Sequence, residues 1–206
     1  KAAGIELLMD APHVRGAVEN LNLDRIESEK LRVKLKSISH LLPAVSGAKV
    51  LWIDDRPEKI IAERRLLRAL GVVVVSATSS DEAREVLRVD RDFDLIVSDV
   101  QRLGETHVLT GGVDIHEGVN FVVWLRTRFG DPFVANLPVL FYAAYDWPKL
   151  VEYTRPARET FPEPGISNSV LDFVPKILTA LADGRDMAIG VPAEKTPTAI
   201  RRNVKF

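Results

Sequence analysis

Residues 50–55 have the sequence VLWIDD, and residues 95–99 have the sequence LIVSD. Each stretch is a short apolar run, rich in β-branched residues, that ends directly in acidic residues. Such runs are typical of strands buried on both faces of a parallel sheet. Because ligands of open α/β sheets bind beyond the carboxyl ends of the strands, we expect Asp54, Asp55 and Asp99 to meet at one edge of the sheet.

Three carboxylates at one edge repel one another unless a cation neutralises them. Oxygen ligands of this kind suit Mg²⁺, which proteins usually hold through a few carboxylates together with several water molecules. We therefore predict that Asp54, Asp55 and Asp99 form a magnesium site and that this site is the functional centre. The alternative is that Asp54 and Asp55 only cap a helix and solvate a loop.

The chain around these runs alternates between strand and helix patterns. Predicted strands cover residues 49–53, 72–76, 94–98, 138–142 and, weakly, 165–168. Predicted helices cover residues 57–70, 80–89, 113–129, 147–160 and 170–182. We expect Pro57 in the first turn of the first of these helices, and Pro175 to delay or kink the last. This alternation predicts an α/β fold with a parallel five-stranded sheet covered on both faces.

A second helical pattern precedes the sheet. Apolar residues recur at spacings of four, three and four, namely at Leu31, Leu35, Ile38 and Leu42. Charged residues fill the positions between them, which predicts one amphipathic helix over residues 23–42, ended by Pro43. This helix either packs on its own domain, or it joins two copies of the chain in a homodimer or transmits a signal from an upstream module.

The sequence also predicts three regions. Residues 1–46 form an N-terminal helical extension, whose first 20 residues are expected to lack a helix because Pro12 and Gly16 interrupt the pattern. Residues 47–183 form the α/β domain. Residues 184–206 contain two prolines and a basic end, which indicates a C-terminal tail that is flexible or docks elsewhere.

Composition limits the function classes. The 206 residues carry 28 basic and 29 acidic side chains, so the net charge of −1 provides no overall field for nucleic acid or an anionic membrane. Cysteine is absent, which excludes disulfides and thiolate metal sites and fits a reducing compartment. No apolar stretch approaches the roughly 20 residues of a membrane span. We expect a cytoplasmic protein that binds neither nucleic acid nor a membrane through this chain.

Five stretches, taken in order, resemble the receiver domain of response regulators, the CheY-like domain. Residues 50–58 resemble its first strand and acidic pair, and residues 93–99 resemble its third strand, which ends in the phospho-acceptor aspartate. The start of its second helix, its third helix and its fourth strand are matched by residues 79–83, 118–126 and 137–144. The resemblance covers roughly residues 48–181 and implies a flavodoxin-like, doubly wound fold.

The resemblance also implies a function and a set of site residues. Asp99 would accept a phosphoryl group from a phosphohistidine on a partner protein. Mg²⁺ would be held by Asp54 or Asp55, by Asp99 and by the backbone carbonyl of Gln101. Such a domain is a regulatory module of a two-component system and not an enzyme, and its partners would be a histidine kinase or a downstream effector.

Two expected residues are missing from this pattern. Receivers carry a Ser or Thr at the end of the fourth strand, where this chain has Ala143. They also carry a lysine before a proline at the end of the fifth strand. The nearest match is Val174 before Pro175, with Lys176 one residue beyond. Arg102, three residues after Asp99, is a candidate substitute cation that would fold back onto the site.

The sequence leaves two functions open. The chain is either an atypical receiver phosphorylated at Asp99 or a pseudo-receiver, which keeps the fold but acts only in protein interaction or dimerisation. A phosphatase of the haloacid dehalogenase type is not favoured, since it needs two acids flanking one residue after the first strand. The order Asp54, Asp55, Arg56 does not provide that spacing.

Overall fold

A computed structural model describes residues 11–102 and 116–190 of the chain. Its five strands are β1 (Lys49–Ile53), β2 (Val73–Ala77), β3 (Leu95–Ser98), β4 (Val139–Tyr142) and β5 (Gly165–Ser167). They form one sheet in the order β2-β1-β3-β4-β5, and every neighbouring pair is parallel. From β1 the chain moves outward to β2 and then crosses back to β3, so β1 and β3 flank the point where the winding direction reverses. Ligands of doubly wound sheets bind at this point.

Helices cover both faces of the sheet. The described helices are α1 (Pro12–Glu19), α2 (Arg25–Ser37), α3 (Leu42–Val45), α4 (Ile61–Ala69), α5 (Ser80–Val89), α6 (Glu117–Arg128), α7 (Pro132–Ala135), α8 (Trp147–Arg158) and α9 (Val170–Gly190), with a 3₁₀ turn at Ser39–Leu41. None of the helices in this described part of the chain has the length and apolar character needed to span a membrane.

Side chains of β1 alternate between two apolar cores. Val50 and Trp52 pack with α1 to α4 and α9 on one face of the sheet. Leu51 and Ile53 pack with α5 to α8 on the other. This alternation follows from the two-residue period of a strand. The flavodoxin-like, doubly wound fold predicted from the sequence is thereby confirmed.

The prediction that the first 20 residues lack a helix is wrong for the described part of that segment. Pro12 lies in the first turn of α1, where a missing N–H costs no hydrogen bond. Val14, Ala17 and Val18 are buried, and α1 packs on α4. This packing outweighs the modest cost of Gly16 inside the helix.

The predicted helix over residues 23–42 is broken into three pieces. A capping box starts α2, since Glu27 N–H donates to the Asp24 side chain and the Glu27 carboxylate accepts from Asp24 N–H. The helix ends at Ser37, and Pro43 lies in the first turn of α3 instead of ending a helix. Because Leu31 and Leu35 are fully buried in the core, α2 packs on its own domain.

Two further helix predictions need correction. The helix predicted from Pro57 begins at Ile61, because the N–H of Lys59 donates to the carbonyl of Arg56 (2.9 Å) and closes a tight turn. The last helix is continuous from Val170 to Gly190, without the delayed start that Pro175 predicted and beyond its predicted end. Residues 191–206 of the predicted tail lie outside the described residues.

Candidate metal centre

The structure brings the three predicted acids together. Asp54 and Asp55 follow β1, and Asp99 follows β3, whose backbone is joined to β1 by a hydrogen bond from Asp99 N–H to the carbonyl of Ile53 (3.0 Å). One carboxylate oxygen from each acid lies within 4.8 Å of the other two. The parallel register of β1 and β3 therefore produces the juxtaposition expected from the sequence.

Burial gives two of these acids unusual proton affinities. Asp54 and Asp99 are each only 8% exposed. Burial, followed by the negative charge of Asp54, raises the pKa of Asp99 to about 6, although Val100 N–H donates to its Oδ1 at 2.7 Å. Burial also raises the pKa of Asp54, against the opposing effect of a hydrogen bond from Arg56 N–H (2.8 Å). Both shifts mean that burial disfavours the charged form of these carboxylates.

The acids have the chemistry of a divalent cation site. Oδ1 of Asp55 is buried and accepts no hydrogen bond from the described residues. Its nearest cationic group is Nε of Arg56, at 3.4 Å. An all-oxygen set of this kind, with one buried oxygen lacking a donor, fits Mg²⁺. Asp54, Asp55 and Asp99 are therefore the side chains that could hold it.

Gly118 fixes the backbone of Asp99. A Cβ atom placed on Gly118 would lie 1.8 Å from the carbonyl oxygen of Asp99, well inside any contact distance. The first turn of α6 consequently packs directly on the end of β3. The sequence resemblance included Gly118 in the third helix, and the structure supplies a physical reason for a glycine at that position.

An open cleft of about 350 Å³ lies beside the acids. Its walls come from the loop after β1, the start of α4 and the ends of β3, β4 and β5. The lining residues are Asp54, Arg56, Lys59, Ile60, Glu63, Asp99, Gln101, Tyr142, Ala143, Ala144, Tyr145 and Asn168. Gln101 thus lies at the cleft, as the prediction of its carbonyl as a metal ligand requires.

The ends of β4 and β5 contribute small and neutral side chains. Ala143 follows β4, is buried, and offers no hydroxyl to the cleft. The residue that follows β5 at the cleft is Asn168, whose Nδ2 donates to the carbonyl of Tyr145 (2.9 Å). The sequence match at Val174 and Pro175 is wrong, since both lie within α9. A strand of three residues carries too short a pattern to fix its own end from sequence.

Lys176 is likewise placed away from the cleft. Its Nζ donates to the carbonyl of Ile166 (2.9 Å) and lies 5.7 Å from the centre of the Trp147 ring. It lines a separate groove beside β5. The lysine nearest in sequence to the expected position is therefore not a cation of this cleft.

Arg102 folds back towards the end of β3, as predicted, but its side chain is fully buried. Its Nη1 donates to Oγ of Ser98 (2.8 Å) and its Nη2 donates to Oγ of Ser80 (2.6 Å). Its positive charge opposes the rise in the pKa of Asp54 and Asp99. However, Arg102 is not among the residues that line the cleft.

Among the polar residues of the cleft that sequence reasoning missed are Lys59, Glu63 and Asn168. The hydroxyl of Tyr142 donates to Oε1 of Glu63 (3.3 Å), and burial, with a contribution from Asp54, raises the pKa of Glu63. The spacing of Lys59, four residues after Asp55, is a signal that could have placed it near the acids. No comparable signal identified Glu63 or Asn168.

Comparison with known structures agrees with this architecture. The receiver domain of a signal transduction histidine kinase from Syntrophus aciditrophicus matches with a TM-score of 0.52 and 18% identity, over 71% of this chain and 98% of that chain. A structure with a trimeric coiled-coil segment of yeast Spc42 fused to another protein matches with a TM-score of 0.52 and 21% identity, over 78% of this chain and 93% of that chain. No protein-family model and no curated protein sequence matches. The chain therefore has the receiver-domain fold.

Proposed function

We propose that this chain is a receiver-like signal-transduction module in which Asp99 accepts a phosphoryl group. The proposal rests on the meeting of Asp54, Asp55 and Asp99 within 4.8 Å at the reversal point of a receiver fold. Three acids packed this closely, two of them buried, are costly without a cation to neutralise them. Their arrangement therefore supports Mg²⁺ binding and argues against a role restricted to helix capping.

The chemistry follows from this placement. A carboxylate oxygen of Asp99 attacks the phosphorus of a phosphohistidine in line; the new P–O bond forms as the P–N bond breaks, and the leaving imidazole keeps the electron pair. Asp54 or Asp55, Asp99 and the backbone carbonyl of Gln101 would hold the metal. Bound Mg²⁺ neutralises charge on the phosphoryl oxygens. The pKa of about 6 leaves most Asp99 ionised at pH 7, as a nucleophile requires.

The partners in this proposal are a histidine kinase or a downstream effector in the cytoplasm. The module itself is regulatory and not an enzyme. Phosphorylation would act by shifting the population of two conformations of the domain.

A phosphorylation-independent pseudo-receiver is the second candidate. It is favoured by the small, neutral ends of β4 and β5, where Ala143 and Asn168 replace the expected hydroxyl and lysine. Such a module would act through protein interaction or dimerisation. A homodimer through the helix predicted at residues 23–42 would have to use the outer face of α2, where Ile26 and Val33 are exposed, because the inner face is buried.

Incubation with acetyl phosphate and Mg²⁺, followed by intact-protein mass spectrometry, tests the proposal. The wild type should gain the mass of one phosphoryl group, and Asp99→Asn should gain none. Asp183→Asn, an exposed position on α9, is the matched control and should react like the wild type. An unmodified wild type, or equal modification of Asp99→Asn, would favour the pseudo-receiver.

A further inference from the structure

The cleft contains cationic side chains that the sequence did not identify as site residues. Among the described residues that line it, the cationic side chains are Arg56 and Lys59. Both lie on the turn between β1 and α4. The carboxylates of Asp54, Glu63 and Asp99 line the same cleft. A phosphoryl group on Asp99 would add further negative charge, so a nearby cation is needed.

The turn that carries these cations is held at both ends. At its start, the N–H of Arg56 donates to Oδ1 of Asp54 (2.8 Å). In its middle, the N–H of Lys59 donates to the carbonyl of Arg56 (2.9 Å). At its end, the side chain of Ile60 is buried in the core. The backbone of Lys59 is therefore fixed at the rim of the cleft, while its side chain is exposed.

The two cations have different roles. Nε of Arg56 lies 3.4 Å from Oδ1 of Asp55, so its charge is directed at an acid of the metal centre. Lys59 makes no side-chain hydrogen bond or ion pair with any residue in the described part of the chain. An ammonium on a flexible four-carbon stem has three rotatable donors, which suits a phosphoryl oxygen that arrives only after reaction.

The other nearby cations are committed elsewhere. The guanidinium of Arg102 donates to Ser98, to Ser80 and to the backbone carbonyl of Asp99 (3.4 Å), but it does not line the cleft. Lys176 bonds the carbonyl of Ile166 in a different groove. We propose that Lys59 supplies the ammonium group that binds a phosphoryl oxygen at Asp99, the contact for which β5 provides no lysine. This inference rests on the proposed phospho-acceptor function.

A titration with Mg²⁺, followed at saturating Mg²⁺ by a titration with beryllofluoride, an analogue of the acyl phosphate, tests the role of Lys59 in the full chain. NMR spectroscopy would follow both in the wild type, Lys59→Met, Lys59→Arg and Lys149→Met. Lys149 is exposed on α8 and does not line the cleft, so it is the matched control. Exposure of Lys59 also means that its substitution should leave the fold intact.

We expect Lys59→Met to weaken beryllofluoride binding about tenfold or more, because a charge-assisted hydrogen bond is lost. Its Mg²⁺ affinity should stay within about twofold of the wild type, since Lys59 is not a metal ligand. Lys59→Arg should recover most of the beryllofluoride affinity, and Lys149→Met should bind both ligands normally.

Two results would overturn the role of Lys59 and leave Asp99 as acceptor: wild-type beryllofluoride affinity in Lys59→Met, or equal losses of Mg²⁺ and beryllofluoride affinity. A wild type that binds Mg²⁺ but not beryllofluoride would instead overturn the acceptor function itself, and the role of Lys59 with it.

Discussion

The two halves of the cleft differ in chemistry although the same sheet edge forms them. The half at β1 and β3, which we call the acid half, carries Asp54 and Asp99, and a carboxylate oxygen of Asp55 lies within 4.8 Å of both. The half at β4 and β5, which we call the neutral half, carries Ala143 and Asn168. In the proposed function, the acids would bind metal and accept the phosphoryl group, while the far side would contact the phosphoryl oxygens. We therefore expect substitutions in the two halves to have separable effects.

The acid half carries an energetic cost that the neutral half does not. Burial raises the pKa of Asp54 and of Asp99, so both carboxylates are destabilised in their charged form. In the neutral half, Asn168 donates to the carbonyl of Tyr145, and Ala143 N–H donates to the carbonyl of Ser167 (3.3 Å). Only the acid half is therefore expected to respond strongly to metal, pH and substitution.

The largest effect on stability is expected at Gly118, where α6 packs directly on the backbone of Asp99. Gly118→Ala would place a Cβ atom 1.8 Å from the carbonyl oxygen of Asp99, so backbone must move on α6 or β3. We expect a loss of at least about 3 kcal/mol in the free energy of unfolding, measured by urea denaturation.

Gly130→Ala is the matched control for this substitution. A Cβ atom at Gly130 meets no atom within 4 Å, and we expect a change of less than about 0.5 kcal/mol. Equal stabilities of the two alanine variants would show that α6 does not constrain Asp99 in the way described.

Removing the buried charge of Asp99 is expected to have a smaller effect on the free energy of unfolding, and this effect is a gain in stability. Its pKa is raised from 3.8 to about 6, so the native state binds its proton more tightly than the unfolded state. Metal-free wild type should therefore lose up to about 3 kcal/mol of stability as the pH rises from 4 to 6. Asp99→Asn should lack this pH-dependent loss of stability and should therefore be more stable than the wild type at pH 7.

Urea denaturation of both proteins between pH 4 and pH 8, with and without Mg²⁺, measures this difference. Mg²⁺ at pH 7 should stabilise the wild type, since ligand binding favours the native state, and should have much less effect on Asp99→Asn. Parallel pH profiles for the two proteins would contradict the assignment of Asp99 as a buried, poorly neutralised carboxylate.

The smallest effect, a change in beryllofluoride affinity, is expected from a substitution in the neutral half. Ala143→Ser would restore a hydroxyl at the cleft wall, and a hydrogen bond to a charged phosphoryl oxygen should tighten beryllofluoride binding about three- to tenfold. Mg²⁺ affinity, measured in the same NMR titration, should not change. A change in Mg²⁺ affinity instead would show that the two halves are not separable.

The central strands were predictable because local sequence determines them. Short apolar runs rich in β-branched residues specify β1 and β3. Ser79, whose Oγ accepts from Glu82 N–H (3.1 Å), specifies the start of α5. In contrast, α1 was missed because Pro12 and Gly16 suggest a break. Only the burial of its apolar face against α4 shows that the helix forms.

The same distinction, between features set by local sequence and features set by tertiary structure, applies to the residues of the site. The acids were predictable because each follows a strand directly, so that strand register alone brings them together. The position of Lys59 at the cleft depends on the tight turn that delays the start of α4. The position of Asn168 depends on where the three-residue strand β5 ends. The spacing of Lys59 from Asp55 is a signal of proximity alone, and the three residues of β5 carry too short a pattern to show that Asn168 lies at the cleft. The acid half was thus predicted well and the rest of the cleft poorly.

The most direct test of the acceptor site is titration of Mg²⁺ and then beryllofluoride, followed by NMR, on the wild type and Asp99→Asn. We predict saturable shifts of residues around Asp54, Asp55 and Asp99 in the wild type, and no beryllofluoride response in Asp99→Asn. A wild type that binds Mg²⁺ but shows no response to beryllofluoride would contradict the account and identify the chain as a pseudo-receiver.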